Sequence, residues 1–552
     1  MNILILNLAR FGDLLQTQAA IKSLAGNGHK VGVVCLDNFA EAAGLLSGVS
    51  HLAVVPARAF LGVDAAECAG PAEWRRALAS LDAWREALYT SFVPDKVCNL
   101  IPNLSSRLFA AFLAKGGPCG GFAVDEHGFG LNTTPWASLL YGSSQSRGVS
   151  PFNIVDVFRR IAEEGSVPLS PGDNELSAPP EELIAEAGEY LHANLPEEAG
   201  GPRGFVALQL GASQDRRRWP VAFFAGLGDI LWKKGGFCPV LLGSKAEMPL
   251  AARYGQAARH PYVDMCGKTG LAELAAVLKN TAMLVSNDTG TMHLASGLGA
   301  PVLAIFLATA QPFDTGPYLA GSCSLEPALS CHPCSFGREC EHDLRCRQAV
   351  PPDFVASLAL SRLEHGGWRM PPRLDGTEAS PARVWLSARD ERGMICLRSL
   401  SGHDTEGRTL WLGLQRHYLR QFLDRGQGAG IFLPRDTALA APLPSEMREE
   451  ITRGLERALT FLEVFSQQGR VLLQKPLPLM RERFLATWQR VAEALDGSQA
   501  LKALCVLWKQ ETQAPGLELE RVMTLAEDFS HLFSHLLKAA GEEAAGVFSC
   551  GE

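Results

Sequence analysis

Val285-Ser286-Asn287-Asp288-Thr289-Gly290-Thr291-Met292-His293 is the stretch on which the fold of this chain turns. The apolar run 282–285 reads as the end of a strand. Asp288 then stands at an expected helix N-cap, and Met292, Ala295 and Leu298 give the following helix an apolar side. A helix N-terminus carries unpaired backbone N–H groups and a partial positive charge, so phosphate is a natural guest there. His293 falls in the first turns, where it either hydrogen-bonds a phosphate or the loop, or packs. The bland alternative for the whole stretch is a capped crossover that binds nothing.

Working upstream, residues 205–210 read as a strand that runs into Gly211-Ala212-Ser213-Gln214-Asp215-Arg216-Arg217-Arg218-Trp219-Pro220. Three successive arginines after a strand make either a phosphate grip or a solvated salt-bridge cluster. Arginine suits a phosphate because it offers paired donors and a permanent charge. Ser213, in the same loop, is a further donor-side candidate. Residues 236–242 form the next expected strand, followed by Glu247, which either accepts from ribose hydroxyls or is an ordinary first-turn glutamate. Gly267-Lys268-Thr269-Gly270 lacks the rest of a phosphate-binding P-loop and reads as a turn and cap. With a strand at 301–306, the order strand, loop, helix repeats through residues 178–370. Three ligand-type loops then fall on one edge of one parallel sheet.

Residues 1–168 repeat the theme. A buried strand, 2–8, breaks at Arg10-Phe11-Gly12-Asp13, and a helix and second strand (29–36) complete a βαβ unit. Asp13 either caps the helix or is a carboxylate base reaching into a cleft. No Gly-x-Gly-x-x-Gly is present, so a dinucleotide fingerprint is missing. Residues 60–92 read as a helix, and Ser105, Ser106 and Arg107 read as a surface loop or as groups facing a polar acceptor. A linker is expected over 166–180, where Pro, Gly, Ser and Asn follow no period.

The chain has 552 residues, 47% of them hydrophobic and 20% charged, which is enough for full cores and not a disordered composition. A net charge of -8 argues against nucleic acid as a partner. No apolar run reaches spanning length, and no leader is expected from the first residues, so a cytoplasmic setting follows. Fourteen cysteines, many in apolar contexts, read as buried thiols of a reducing compartment. Cys331, Cys334, Cys340 and Cys346 are the exception. They either enclose a structural zinc or an iron–sulfur cluster, or are plain thiols or a disulfide pair.

Beyond residue 380 a short hairpin (383–386 with 394–397) gives way to helical spacing at 410–422, 447–465, 480–495, 500–509 and 517–538. The region 380–552 reads as a mainly helical accessory domain. It is a candidate surface for a protein partner, a second copy or a membrane edge.

Arg10-Phe11-Gly12-Asp13, the Arg217-Arg218-Trp219-Pro220 element and Asn287-Asp288-Thr289-Gly290 with His293 together resemble the bacterial glycosyltransferase family of the lipopolysaccharide heptosyltransferases, over about residues 1–365. The resemblance implies an α/β, GT-B fold of two Rossmann-like domains facing across a cleft. It implies a nucleotide diphosphate sugar as donor substrate, with ADP-heptose as a candidate, and a saccharide acceptor, the sugar being moved with inversion. A related enzyme acting on a protein acceptor, a non-catalytic nucleotide-sugar-binding scaffold and an epimerase of the same fold are the alternatives. By the same resemblance Asp13 is the general base, Arg217 stands where a basic residue, often lysine, holds the diphosphate, and Glu247 holds the ribose. Asp288, Thr289, Gly290 and Thr291 form the phosphate loop. No Asp-x-Asp pair lies near these loops, so no cofactor is expected to be required for catalysis.

Overall fold

The computed structural model of the chain describes residues 1–56, 71–145, 150–163, 173–195, 201–371, 380–425 and 440–541. Residues 166–172 of the expected linker and residues 60–70 of the expected helix lie outside them.

Strands β1 (Asn2–Leu6), β2 (Lys30–Leu36), β3 (Val49–Val55), β4 (Lys96–Asn99), β5 (Cys119–Val124) and β6 (Gly130–Asn132) form one sheet in the order β3-β2-β1-β4-β5-β6. All pairs are parallel except β5 with β6. β1 is central and covered on both faces, which is why it reads as a continuous apolar run and not as an alternation.

Strands β7 (Gly204–Gln209), β8 (Phe237–Leu242), β9 (Val263–Asp264), β10 (Met283–Asn287), β11 (Val302–Ile305), β12 (Cys323–Pro327), β13 (Ala382–Arg389) and β14 (Ile395–Ser399) form a second sheet, ordered β14-β13-β12-β11-β10-β7-β8-β9. Its parallel part, β9-β8-β7-β10-β11-β12, has the Rossmann order, and the remaining hairpin adds antiparallel to β12. The hairpin, grouped with the helical region on sequence grounds, is thus an extension of the second lobe's sheet. These two lobes and the C-terminal helices make a GT-B fold with a helical addition.

Two local readings are corrected. Residues 104–114 are not a loop but a helix, Leu104–Ala114, capped by the Asn103 side chain on the Ser106 N–H. Arg107 faces no acceptor. It is buried, and its guanidinium donates to the carbonyls of Pro102, Ala123 and Leu131 and to Asn132 Oδ1. Four bonds to fixed oxygens make it a strut that closes the β5–β6 turn.

The C-terminal helices Gly407–Leu423, Ser445–Gln474, Pro478–Asp496, Lys502–Thr512 and Leu519–Gly541 pack as a bundle. Val522, Leu525, Phe529, Leu532, Phe533 and Leu536 form the buried stripe of the last helix. The bundle sits on the first lobe. Helix Lys502–Thr512 lies along Pro135–Gln145, where Val506 fills the space that a Cβ on Gly142 would need. Trp136 Nε1 donates to Asp424 Oδ1 at 2.9 Å, both groups buried.

Helix Gly407–Leu423 touches both lobes. At its start, Arg408 pairs with the buried Glu326 of β12 at 2.7 Å and bonds Gln311 at 2.8 Å. Past its end stands Asp424, on Trp136, and between them Arg416 donates to the Pro151 carbonyl. One apolar cluster accordingly runs without a break from Ile3 through Ala295 to Trp508 and Phe529. Trp411, Tyr418 and Trp508 are buried in it, and Trp488 packs against it. Among the described residues no helix is long and apolar enough to cross a membrane.

Candidate active site

In a doubly wound sheet, ligands sit beyond the carboxyl ends of the strands where the strand order reverses. In the second lobe that point lies between β7 and β10, in register at Gln209 and Ser286. The arginine loop leaves β7 there and the Asp288 loop leaves β10. In the first lobe the reversal lies between β1 and β4, so Arg10–Asp13 leaves at the equivalent place.

Asn287 ties the two second-lobe loops together. Its Nδ2 donates to the carbonyl of Gly211 at 2.9 Å and also reaches those of Leu210 and Gln209, while its Oδ1 accepts from the Trp219 N–H at 2.9 Å. The side chain is fully buried. Trp219 is buried too, with its indole N–H on the Val350 carbonyl, so the arginine loop is fixed at its far end.

The three arginines divide. Arg218 pairs with Asp215 at 2.9 Å, and Arg216 donates to Gln214 and to the Arg338 carbonyl; for these two the salt-bridge and loop-bracing reading holds. Arg217 alone turns inward. It is 7% exposed, its Nε donates to Thr309 Oγ1 at 2.7 Å, and its Nη1 lies 3.6 Å from Asp288 Oδ2. The Phe336 ring centroid is 5.8 Å from its Cζ.

Asp288 therefore has a different place from the one expected. The N-cap of helix Gly290–Gly297 is Thr289, without a side-chain cap bond, and the Asp288 carboxylate faces Arg217. An arginine so close offers the carboxylate more than a backbone N–H does, because both partners carry full charge. Thr289 Oγ1 lies 3.1 Å from Ser286 Oγ, and Thr291 Oγ1 donates to Gln209 Oε1 at 3.0 Å. Ser213 is exposed on the arginine loop. Glu247 lies over Gly211, filling the volume of the absent Cβ, and accepts from the N–H and Oγ of Ser244. It is at once a capping glutamate and a carboxylate set at the mouth of the arginine loop.

The first lobe meets these loops directly. Phe11 lies over Gly290, and Gly12 packs on Gly290 and His293. Burial pushes the His293 imidazole down to about 4, so the ring is neutral at ordinary pH and is a packed neighbour of the seam. Asp13, one residue further, sits in the first turn of helix Phe11–Leu15, part-exposed, with its carbonyl accepting from Asn7 Nδ2. A second bridge lies nearby. Glu41 Oε1, from the first lobe, accepts from the Ala272 N–H at 2.7 Å at the start of the second-lobe helix Leu271–Lys279.

The cysteine segment lies behind the arginine loop. Arg347 donates to the Arg218 carbonyl and pairs with Asp215. Cys331, Cys334, Cys340 and Cys346 line one cavity of about 200 Å³ with His332 and His342. All four are free thiols; burial, then neighbouring cysteines, raise the pKa of Cys334. Among the described residues no three His, Cys, Asp or Glu side chains are arranged to hold a metal ion, so as placed these thiols do not fit one.

Thus Arg217, Asp288, Gly290 and His293 come together with the Asp13 turn. Ser213 and Glu247 lie on the adjoining loops, and the cysteines stand apart. Sequence reasoning missed Asn287, Thr309, Gln209 and Phe336 as supports. Asn287 alone carried a signal, a polar residue at the end of an apolar strand.

Comparison with known proteins gives a match of residues 169–343 to glycosyltransferase family 9 (heptosyltransferase). Lipooligosaccharide heptosyltransferase 2 of Haemophilus influenzae is 31% identical over 101 residues, 18% of this chain and 29% of that protein. The chain thus spans under a third of that relative's length. Lipopolysaccharide heptosyltransferase 1 of Escherichia coli is 25% identical over 329 residues, 57% of this chain and 89% of that one. Among solved structures, a glycosyl transferase family 9 protein from Veillonella parvula superposes with a TM-score of 0.50 at 18% identity, covering 65% of this chain and 96% of that one. That likeness concerns the fold.

Proposed function

We propose that this chain is a member of glycosyltransferase family 9, a reading supported by the match over residues 169–343, and that it moves a sugar from a nucleotide diphosphate donor to a saccharide hydroxyl, with inversion at the sugar carbon. The observation that carries the reading is the close packing of Gly12 on Gly290 and His293. It sets the Asp13 turn of the first lobe against the helix N-terminus of the second, which follows the Asp288 paired with Arg217.

In this reading Arg217 and the first-turn N–H groups of helix Gly290–Gly297 take the diphosphate. Asp288, now paired with Arg217, and Thr309 hold the guanidinium in line. Thr289 and Ser213 offer hydroxyls, Thr291 braces the loop from beneath, and Glu247 accepts from the ribose. Asp13 takes the proton of the acceptor hydroxyl as it attacks the sugar carbon. That carbon gains oxocarbenium character while negative charge grows on the departing diphosphate. Arg217 and the helix offset this charge without a bound cation. Named relatives are heptosyltransferases of lipopolysaccharide and lipooligosaccharide, which makes ADP-heptose the first donor to try and a lipopolysaccharide-core saccharide the first acceptor. A protein acceptor is the second reading, favoured by the anchorage of the bundle to the first lobe.

The test is a panel of nucleotide sugars with and without acceptor, following nucleoside diphosphate release. Acceptor-dependent release from a heptose donor supports the reading. Tight donor binding with no release from any member of the panel would leave a scaffold protein instead.

A further inference from the structure

The helical bundle carries a feature the transfer reaction does not use. Among the described residues, six exposed large apolar side chains fall within the 22-residue stretch 464–485: Val464, Val471, Leu473, Leu477, Leu479 and Leu485. Four of them, Val471, Leu473, Leu477 and Leu479, lie where helix Ser445–Gln474 turns through Lys475-Pro476-Leu477 into helix Pro478–Asp496. Leu477 and Leu479 are 53% and 54% exposed. Scattered exposed leucines are ordinary, but such a concentration on one projecting turn is not.

The turn is held out by what lies beneath it. Phe465 and Phe484 stack across the two helices at 4.0 Å, and Met523 of the last helix packs into the space left by Gly469. Beyond that clamp residues 473–479 are all exposed, and two prolines stiffen the connection. Along its sequence the same stretch carries Arg470, Lys475, Arg481 and Arg483 against a single acid, Glu482, a local charge of +3 on a chain whose total is -8. Glu463 and Glu527 line a cavity with Arg470 at the tip's base.

We propose that this hairpin tip, residues 470–483, is a docking surface for an anionic lipid bilayer. The leucines enter the headgroup boundary while the basic side chains reach lipid phosphates, the arrangement of an interfacial anchor and not of a spanning one. Charge complementarity selects this occupant. A second copy meeting the tip about a two-fold axis would place +3 against +3.

Co-sedimentation of the full chain with phosphatidylglycerol-rich vesicles, against pure phosphatidylcholine vesicles, tests the proposal. The wild type is expected to pellet with the anionic vesicles and to be released by salt. Leu477→Ser with Leu479→Ser should abolish pelleting. Arg470→Gln and Lys475→Gln should each lower partition roughly fivefold. All four positions are exposed, so thermal unfolding and donor binding should stay as in the wild type. Equal binding to both vesicle types, no binding to anionic vesicles, or indifference to the substitutions overturns the proposal. So does loss of self-association in the leucine variant by sedimentation velocity, which would make a second copy the occupant.

Discussion

Gly12 and Gly290 meet across the seam between the lobes so closely that a methyl group on Gly12 would stand 3.0 Å from Gly290 Cα and 3.3 Å from His293 Cδ2. A Cβ on Gly290 would in turn collide with the Phe11 ring. Gly290→Ala should therefore push the Asp13 turn away from the helix N-terminus, and a shift of that order costs roughly a hundredfold in kcat/KM. Adding Phe11→Leu should restore part of the loss. Steady-state kinetics of the two single variants and the pair measure this, and equal losses with and without Phe11→Leu would refute the steric account.

Asp13→Asn keeps the shape of the turn and removes the base. Transfer should fall by about 10²–10⁴-fold with donor affinity nearly unchanged. The check is single-turnover kinetics beside calorimetric titration of the donor; near-normal turnover would displace Asp13 from its role.

Arg217→Ala should weaken donor binding by roughly tenfold to a hundredfold, the loss of a charge-assisted contact. Thr309→Val deletes only the hydroxyl that fixes the guanidinium, so its effect should be smaller and in the same direction. Donor dissociation constants decide, and an Arg217→Ala variant that binds donor normally would move the diphosphate elsewhere.

Glu326 sets a pH dependence of stability. Burial raises its pKa, but Arg408, His332 and Arg383 outweigh that and hold it at about 2, below the ordinary 4.5. A carboxyl depressed in the folded state stabilises above its unfolded value and loses that contribution as pH falls. The loss should run from about pH 4.5 to about pH 2 and amount to about 3 kcal/mol. Glu326→Gln should be less stable at neutral pH and flatter across that window in denaturant titrations. A wild-type curve as flat as the variant's would contradict the pairing.

Chelation separates the two metal questions. Turnover should survive EDTA, since Arg217 and the helix carry the diphosphate charge in the proposed reaction. A structural metal at Cys331, Cys334, Cys340 and Cys346 would need the thiols to close in from their present places, and elemental analysis of the purified protein reports it directly.

The parts visible in the sequence are those coded locally. The run into Asn287 and the helix after it, the βαβ opening, and the arginine loop all follow from strand-length apolar runs broken by turn residues. What stayed hidden depends on contacts distant in sequence. Nothing near Arg217 says that it, and not Arg216 or Arg218, turns inward; Thr309, 92 residues away, decides that. Asp288 looked like a cap because its carboxylate is correctly placed for one, and only the folded loop brings Arg217 within reach. The helix at 104–114 was obscured by serines that its cap, Asn103, makes tolerable. The hairpin 382–399 has strand spacing but no local mark of its partner, β12.

Helix Gly407–Leu423 acts as a connecting rod, about 25 Å long by its residue count, with a pin at Glu326 on one lobe and another at Trp136 on the other. A rod pinned to each lobe resists their drawing straight apart, so any opening of the gap between them must strain the Arg408–Glu326 pair or the Trp136–Asp424 bond.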